Sequence, residues 1–213
     1  MGLSAAGPEG PARRIIPIVR LIARQAADRL SATPPAPMVR AMNEGPANAA
    51  PATPDQLFAR LEQLGIRFAT VRHPPVFTVE EAKALRGDLP GGHIKNLFLR
   101  NKKEEMWLVV AAEDRAIDLK ALGERIGAGR LSFGSPERLM KYLGVAPGAV
   151  TPFAVINDRD RRVKVVIDQA LLATDPVNCH PLTNDMTTAI APADLIRFVR
   201  ACGHEPEVRD LGS

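Results

Sequence analysis

The sequence predicts an α+β fold: a mixed, largely antiparallel sheet of six or more strands with surrounding helices. Three observations lead there. Apolar periodicity switches repeatedly between helical and strand-like spacing, and several strand-like runs come in hairpin-like pairs. Four segments carry helix-start chemistry, a capping Ser, Thr or Asp before an apolar run. No G-x-G-x-x-G follows a strand and no G-x-x-x-x-G-K-[ST] occurs, so dinucleotide-binding and P-loop folds lack support.

The elements follow in order from Thr53. "TPDQLFARLEQLG" offers Thr53 as N-cap, Pro54 at the first helical position and Gln56 to complete a capping box, with Gly65 as the stop. "IRFATVRH" alternates as a strand does. "FTVEEAKAL" repeats the cap pattern with Thr78 and Glu81 and predicts a second short helix. "IKNLFLRNKKEEMWLVVAA" reads as two strands joined by a charged turn at 101–105. A helix capped by Asp118, a strand at "RLSF" and a helix between Ser135 and Gly144 come next. "VAPGAVTPFAVIND" is expected as a loop running into a strand. "RRVKVVID" is a further strand, "VNCHPLTNDMTTAI" a strand, turn and strand, and "APADLIRFVRACG" a closing helix.

Residues 1–52 differ in kind. "RRIIPIVRLIARQAADRL" is basic and amphipathic, and "SATPPAPMVRAMNEGPANAAPATP" is a Pro/Ala-rich linker. Charges and Pro17 interrupt the apolar part, which excludes a secretory signal. A poorly ordered N-terminal extension is expected over 1–52, and one domain over 53–213.

Composition narrows the function classes. Of 213 residues 46% are apolar and 4% aromatic, so the core is expected to be aliphatic. The net charge of +4 and pI near 9.4 are compatible with a nucleic-acid partner without requiring one. Two cysteines, Cys179 and Cys202, make no disulfide framework and fit a reducing cytoplasm. No apolar run approaches the ~20 residues of a membrane span, so no membrane partner is expected.

Three stretches carry chemistry. In "GGHIKNLFLRN", Lys95 and Asn96 open an apolar strand; Lys95 reads as a snorkelling surface lysine or as a cation at a pocket mouth. In "GVAPGAVTPF", the run Gly148, Ala149, Val150, Thr151, Pro152 is either a plain turn or a rigid loop aiming backbone N–H groups at an oxygen. In "NCHPLTNDMTTAI", His180 is either a hydrogen-bonded structural histidine or a pocket residue. Adjacent strand residues face opposite ways, so Cys179 with His180 makes neither a metal pair nor a nucleophile and base. No metal and no cofactor are expected.

Taken together, "HIKNLFLRNKK", "GVAPGAVTPF" continuing into "AVIND", "VKVVID" and "HPLTNDMTT" resemble the prolyl-tRNA editing family, which includes YbaK-type deacylases and the editing insertion of bacterial prolyl-tRNA synthetases. The likeness is greatest to free-standing alanyl-tRNA(Pro) deacylases. It covers everything from about Thr53 onward. It implies a YbaK-like editing domain that hydrolyses the ester of a mischarged tRNA(Pro), with the tRNA acceptor end as partner and prolyl-tRNA synthetase as a further candidate. It implies catalytic roles for Lys95, His180 and Gly148, with Asn96 and Ala149 to Pro152 holding substrate. Phe77 and Val79 are candidate pocket walls, and Arg100, Lys102, Lys103 and Arg130 candidate tRNA contacts. Two alternatives stay open: a deacylase of cysteinyl-tRNA(Pro) or another small-amino-acid tRNA, and a catalytically silent tRNA-binding or regulatory module.

Overall fold

The computed structural model describes residues 50–75 and 90–212. The expected extension as far as residue 49, the expected helix "FTVEEAKAL" and the candidate pocket walls Phe77 and Val79 lie outside the described residues.

Local signals were read correctly at the capped helices among the described residues. Helix α1 (Pro54–Gln63) starts with the capping box: Gln56 N–H donates to Thr53 Oγ1 at 3.3 Å, and Thr53 N–H to Gln56 Oε1 at 2.9 Å. Its Leu57 and Leu61 are fully buried. Helix α2 (Leu119–Arg125) is capped by Asp118, which accepts the Ala121 N–H at 2.7 Å. Helix α3 (Pro136–Leu143) is capped by Ser135 and ends at Gly144, whose φ of 63° suits a residue without a side chain. A Cβ there would sit 2.7 Å from the Asn157 amide. Helix α4 (Pro192–Ala201) closes the set, packing Phe198 edge-on to Phe153 with ring centroids 5.3 Å apart. Such a pair contributes ~0.5–1.5 kcal/mol beyond burial.

The strands are β1 (Phe68–Arg72), β2 (Gly92–Arg100), β3 (Met106–Ala112), β4 (Ser132–Phe133), β5 (Val163–Asp168), β6 (Val177–Cys179), β7 (Met186–Ile190) and β8 (Glu207–Arg209). Among the described residues they form one sheet in the order β1-β7-β6-β2-β3-β5-β8, with β4 also on β2. Pairings β1–β7, β2–β3, β2–β4 and β6–β7 are antiparallel; β2–β6, β3–β5 and β5–β8 are parallel. The β2–β3 hairpin turns on Asn101, whose Oδ1 accepts the N–H groups of Lys103 and Glu105 at 2.9 and 3.1 Å.

Strand β3 is apolar throughout because both faces of the sheet are covered here. Met106, Leu108 and Val110 join the main core with Leu57, Phe153 and Phe198. Trp107, Val109 and Ala111 join a second core with Leu99, Leu122 and Leu131.

Three expectations needed revision. Residues 152–157 form a 3₁₀ helix, not the start of a strand. Pro152 sets its first turn and Thr151 Oγ1 accepts the Phe153 N–H at 3.3 Å, so local capping outweighs the β-propensity of Val155 and Ile156. A second 3₁₀ helix (Gln169–Ala173) and strand β8 were not anticipated. β8 is short and exposed, and exists because β5 offers it an edge.

Candidate active site

The strand pattern sorts the site residues onto two faces. Lys95 pairs with Ala111, a member of the second core, whereas Asn96 pairs with Val110 of the main core. Paired residues share a face, so Lys95 and Asn96 point to opposite sides of β2. On β6, Val177 and Cys179 belong to the main core, and Asn178 faces away from it. The parallel register sets Gly92 beside Val177 and His93 beside Asn178. Lys95 lies two residues on from His93 along β2, and His180 is the first residue beyond β6. The antiparallel register pairs Cys179 with Thr188, and its continuation brings His180 to Thr187. His93, Lys95, Asn178 and Thr187 thus share one polar face, and His180 follows just beyond the end of β6.

His73, at the end of β1, joins them. Its Nε2 lies 2.9 Å from Thr187 Oγ1, its Nδ1 2.8 Å from the Pro74 carbonyl, and its ring 6.3 Å from that of His180. Sequence reasoning weighed His73 only as a metal ligand, because its route to Thr187 runs through the β1–β7 pairing. Among the described residues no group of three or more His, Cys, Asp or Glu could hold a metal.

The state of His180 follows from its partner. Nδ1 lies 3.0 Å from the Met186 carbonyl, which can only accept, so Nδ1 carries the hydrogen. Burial pushes the imidazole below its ordinary pKa, and the nearby His73 pushes the same way, against the upward pull of the Met186 bond. The ring is therefore neutral near pH 7. Nε2 holds a lone pair with no hydrogen-bond partner among the described residues.

Lys95 donates from Nζ to the Arg115 carbonyl. The Arg115 guanidinium is itself held by the fully buried Asp168, with Nε 2.9 Å from Oδ2. Asp168 and Arg115 therefore position the cation, a role that a separation of 73 residues along the chain between Lys95 and Asp168 concealed from the sequence.

On the other face, Asn96 Nδ2 donates to the Val150 carbonyl at 2.9 Å and ties the glycine loop to β2. Gly148 adopts a φ of 88°. The Ala149 N–H turns back to Ala146 O at 3.0 Å, whereas the Val150 and Thr151 N–H groups have no recorded partner among the described residues. Thr151 and Pro152 are buried, Gly148 exposed. Thr183 donates to Asp185 at 2.6 Å, so these two build the turn between β6 and β7, as expected.

The candidate tRNA contacts lie elsewhere. Arg100 is five residues along β2 from Lys95, roughly 17 Å at ~3.3 Å per residue. It pairs with Glu104, while Lys102, Lys103 and Arg130 are exposed.

The model of the aminoacyl-tRNA editing domain matches residues 73–198, more than half of the chain. This chain belongs to the aminoacyl-tRNA editing domain family, and its enzyme class is aminoacyl-tRNA deacylase. It is 41% identical over 149 residues to the prolyl-tRNA editing protein ProX of Acetoanaerobium sticklandii, covering 70% of this chain and 91% of that protein. It is also 41% identical over 156 residues to the prolyl-tRNA synthetase associated domain-containing protein 1 of Mus musculus, covering 71% and 92%. A crystal structure of a candidate trans-editing enzyme for prolyl tRNA synthetase has the same fold, with a TM-score of 0.57 at 23% identity over 74% of this chain and 92% of that one.

Proposed function

We propose that this chain hydrolyses mischarged tRNA(Pro) in trans, with alanyl-tRNA(Pro) as its principal substrate. The names of the relatives supply the prolyl-tRNA part of this reading. The need for such an enzyme is physical: a proline site cannot strongly reject a smaller apolar amino acid, because a missing methylene is worth only ~1–3 kcal/mol.

The observation that supports the reading is the parallel β2–β6 pairing at His93 and Asn178, from which Lys95 and His180 each follow two residues further on in the same direction. Water attacks the ester carbonyl carbon, the bond to the ribose oxygen breaks, and free amino acid and a ribose hydroxyl result. The ester is already activated, so no covalent enzyme intermediate is needed. Lys95 offsets negative charge developing on the carbonyl oxygen. His180 orients the aminoacyl group through Nε2. The vicinal ribose hydroxyl of the substrate helps place the water. Cys179 has no part: it is buried in the core, and burial pushes its thiol far above the ordinary cysteine range.

The test is a deacylation panel. Alanyl-tRNA(Pro) is expected to be cleaved faster than cysteinyl-tRNA(Pro) and prolyl-tRNA(Pro). A terminal adenosine lacking the vicinal hydroxyl is expected to slow cleavage. Undiminished cleavage of that substrate, or an acyl-enzyme trapped on Cys179, refutes the mechanism.

A further inference from the structure

Residues 210–212, just beyond β8, lie against the groups that hold Lys95. Parallel pairing of β5 with β8 sets Arg209 beside Asp168, so the chain leaves β8 next to that carboxylate. Asp168 is fully buried. Its Oδ2 accepts from Arg115 Nε at 2.9 Å, and its Oδ1 accepts from Arg115 Nη2 and from the Leu211 N–H, both at 3.5 Å. Leu211, 5% exposed, joins the second core together with Ala111, the register partner of Lys95. Arg125 of α2 grips the segment on either side of that leucine. Its Nη1 donates to the Asp210 carbonyl at 2.8 Å and to the Gly212 carbonyl. A Cβ added at Gly212 would come 2.9 Å from Arg115 Nη1, so the segment also closes over the guanidinium.

We infer that Leu211 and Gly212 are positioning residues for Lys95, acting through Asp168 and Arg115. This rests on the deacylase reading above, in which the Lys95 ammonium meets the carbonyl oxygen of the ester. An ammonium has three donors; the bond to the Arg115 carbonyl uses one and sets the direction of the other two. That carbonyl sits between β3 and α2, outside both elements. Residue 115 is fixed there by its N–H, which donates to Ala112 O at 3.1 Å, and by its side chain on Asp168. The buried leucine seats the segment on Asp168, and Gly212 closes the space into which the guanidinium would otherwise swing. Loosening the segment frees Arg115, and with it the carbonyl that aims the ammonium. Lys95 is needed where charge develops in the transition state, so its misplacement costs rate rather than substrate binding.

The experiment measures kcat and KM on alanyl-tRNA(Pro) for the full chain and for Leu211→Ala, Leu211→Met and Gly212→Ala, with the two alanine variants also combined with Lys95→Ala. Leu211→Ala is expected to lower kcat by about 10-fold and to leave KM within about 2-fold. Leu211→Met keeps the buried volume and should stay within about 2-fold of the unaltered protein. In the Lys95→Ala background, Leu211→Ala should cost less than about 2-fold more, because no ammonium is left to aim. A purely structural role slows both backgrounds alike, and that additivity overturns the inference. So does a loss confined to KM, or an unchanged kcat in Leu211→Ala. Gly212→Ala removes no core atom and pushes only on the flexible end of Arg115, so it decides the question where Leu211→Ala fails to fold. It should lower kcat by about 3-fold, and by nothing further in Lys95→Ala; equal losses in both backgrounds overturn the inference. No cleavage by the unaltered protein overturns the deacylase reading itself, and undiminished cleavage by Lys95→Ala overturns the role of Lys95 within it.

Discussion

Cys179 and His180 are consecutive, yet they belong to different environments. Cys179 faces the main core among Val177, Ile190 and Phe198, 2% exposed, and burial makes its thiol inert. His180 faces the polar side with Asn178 and Thr187, half-buried, and burial keeps its ring neutral with one lone pair to offer. One physical cause, desolvation of the charged form, thus silences a nucleophile on one side of a strand and prepares a hydrogen-bond acceptor on the other. A reactive residue type is not a reactive residue until its face is known. The two faces should also fail differently: polar-face substitutions should cost rate, and core-face substitutions should cost stability.

The largest effect is expected from Lys95→Ala. Removing a cation held at the Arg115 carbonyl should lower kcat/KM for alanyl-tRNA(Pro) by ~10²–10³-fold, with the unfolding midpoint little changed. A fall in thermal stability that accounts for the lost rate would break the contrast between faces. His180→Ala should cost ~10–100-fold in kcat/KM, the range for a hydrogen bond to a polar reacting group in a buried site, and should widen the choice of amino acid. Cleavage rates on alanyl- and 2-aminobutyryl-tRNA(Pro) measure both effects.

The pH dependence sharpens the same contrast. The folded-state pKa of His180 lies below its ordinary 6.5. Its contribution to stability is therefore fully present above 6.5 and is lost as pH falls from 6.5 toward the folded value, where the unfolded chain binds the proton more readily. Activity should persist below pH 6.5 for the same reason. Unfolding midpoints of the native protein and His180→Gln between pH 7.5 and 5 should converge on acidification; parallel curves would show that His180 does not titrate in this way.

Cys179→Ser tests the core side. It buries a hydroxyl without an assured partner and should cost ~1–3 kcal/mol of stability in urea unfolding, while kcat changes by less than about 2-fold. Cys202, whose thiol burial pushes up to about 11, should also resist alkylation in the folded protein. The smallest effect concerns the far end of β2. Lys102→Ala should reduce the slope of log kcat/KM against log salt by ~1 if that lysine meets a phosphate. An unchanged slope would remove it from the tRNA surface.

Among the described residues no helix is long and apolar enough to cross a membrane.

Much of the architecture was legible in the chain itself, because it rests on short-range chemistry. The caps at Thr53, Asp118 and Ser135, the Gly144 stop, the 101–105 turn and the β6–β7 turn all depend on residues within a few positions of one another. The same locality made Lys95, Asn96, the glycine loop and His180 recognisable as motifs. Local reading failed at 152–157, where a threonine cap and a proline outweighed strand propensity. What the tertiary structure alone decided was partnership and facing. The β1–β7 pairing delivers His73 to Thr187, Asp168 reaches Arg115 across 53 residues, and parallel pairing of β6 with β2 sets Asn178 beside His93. Sheet register joins residues that are distant in sequence and fixes which face each side chain takes, and neither quantity is encoded by any single stretch of the chain.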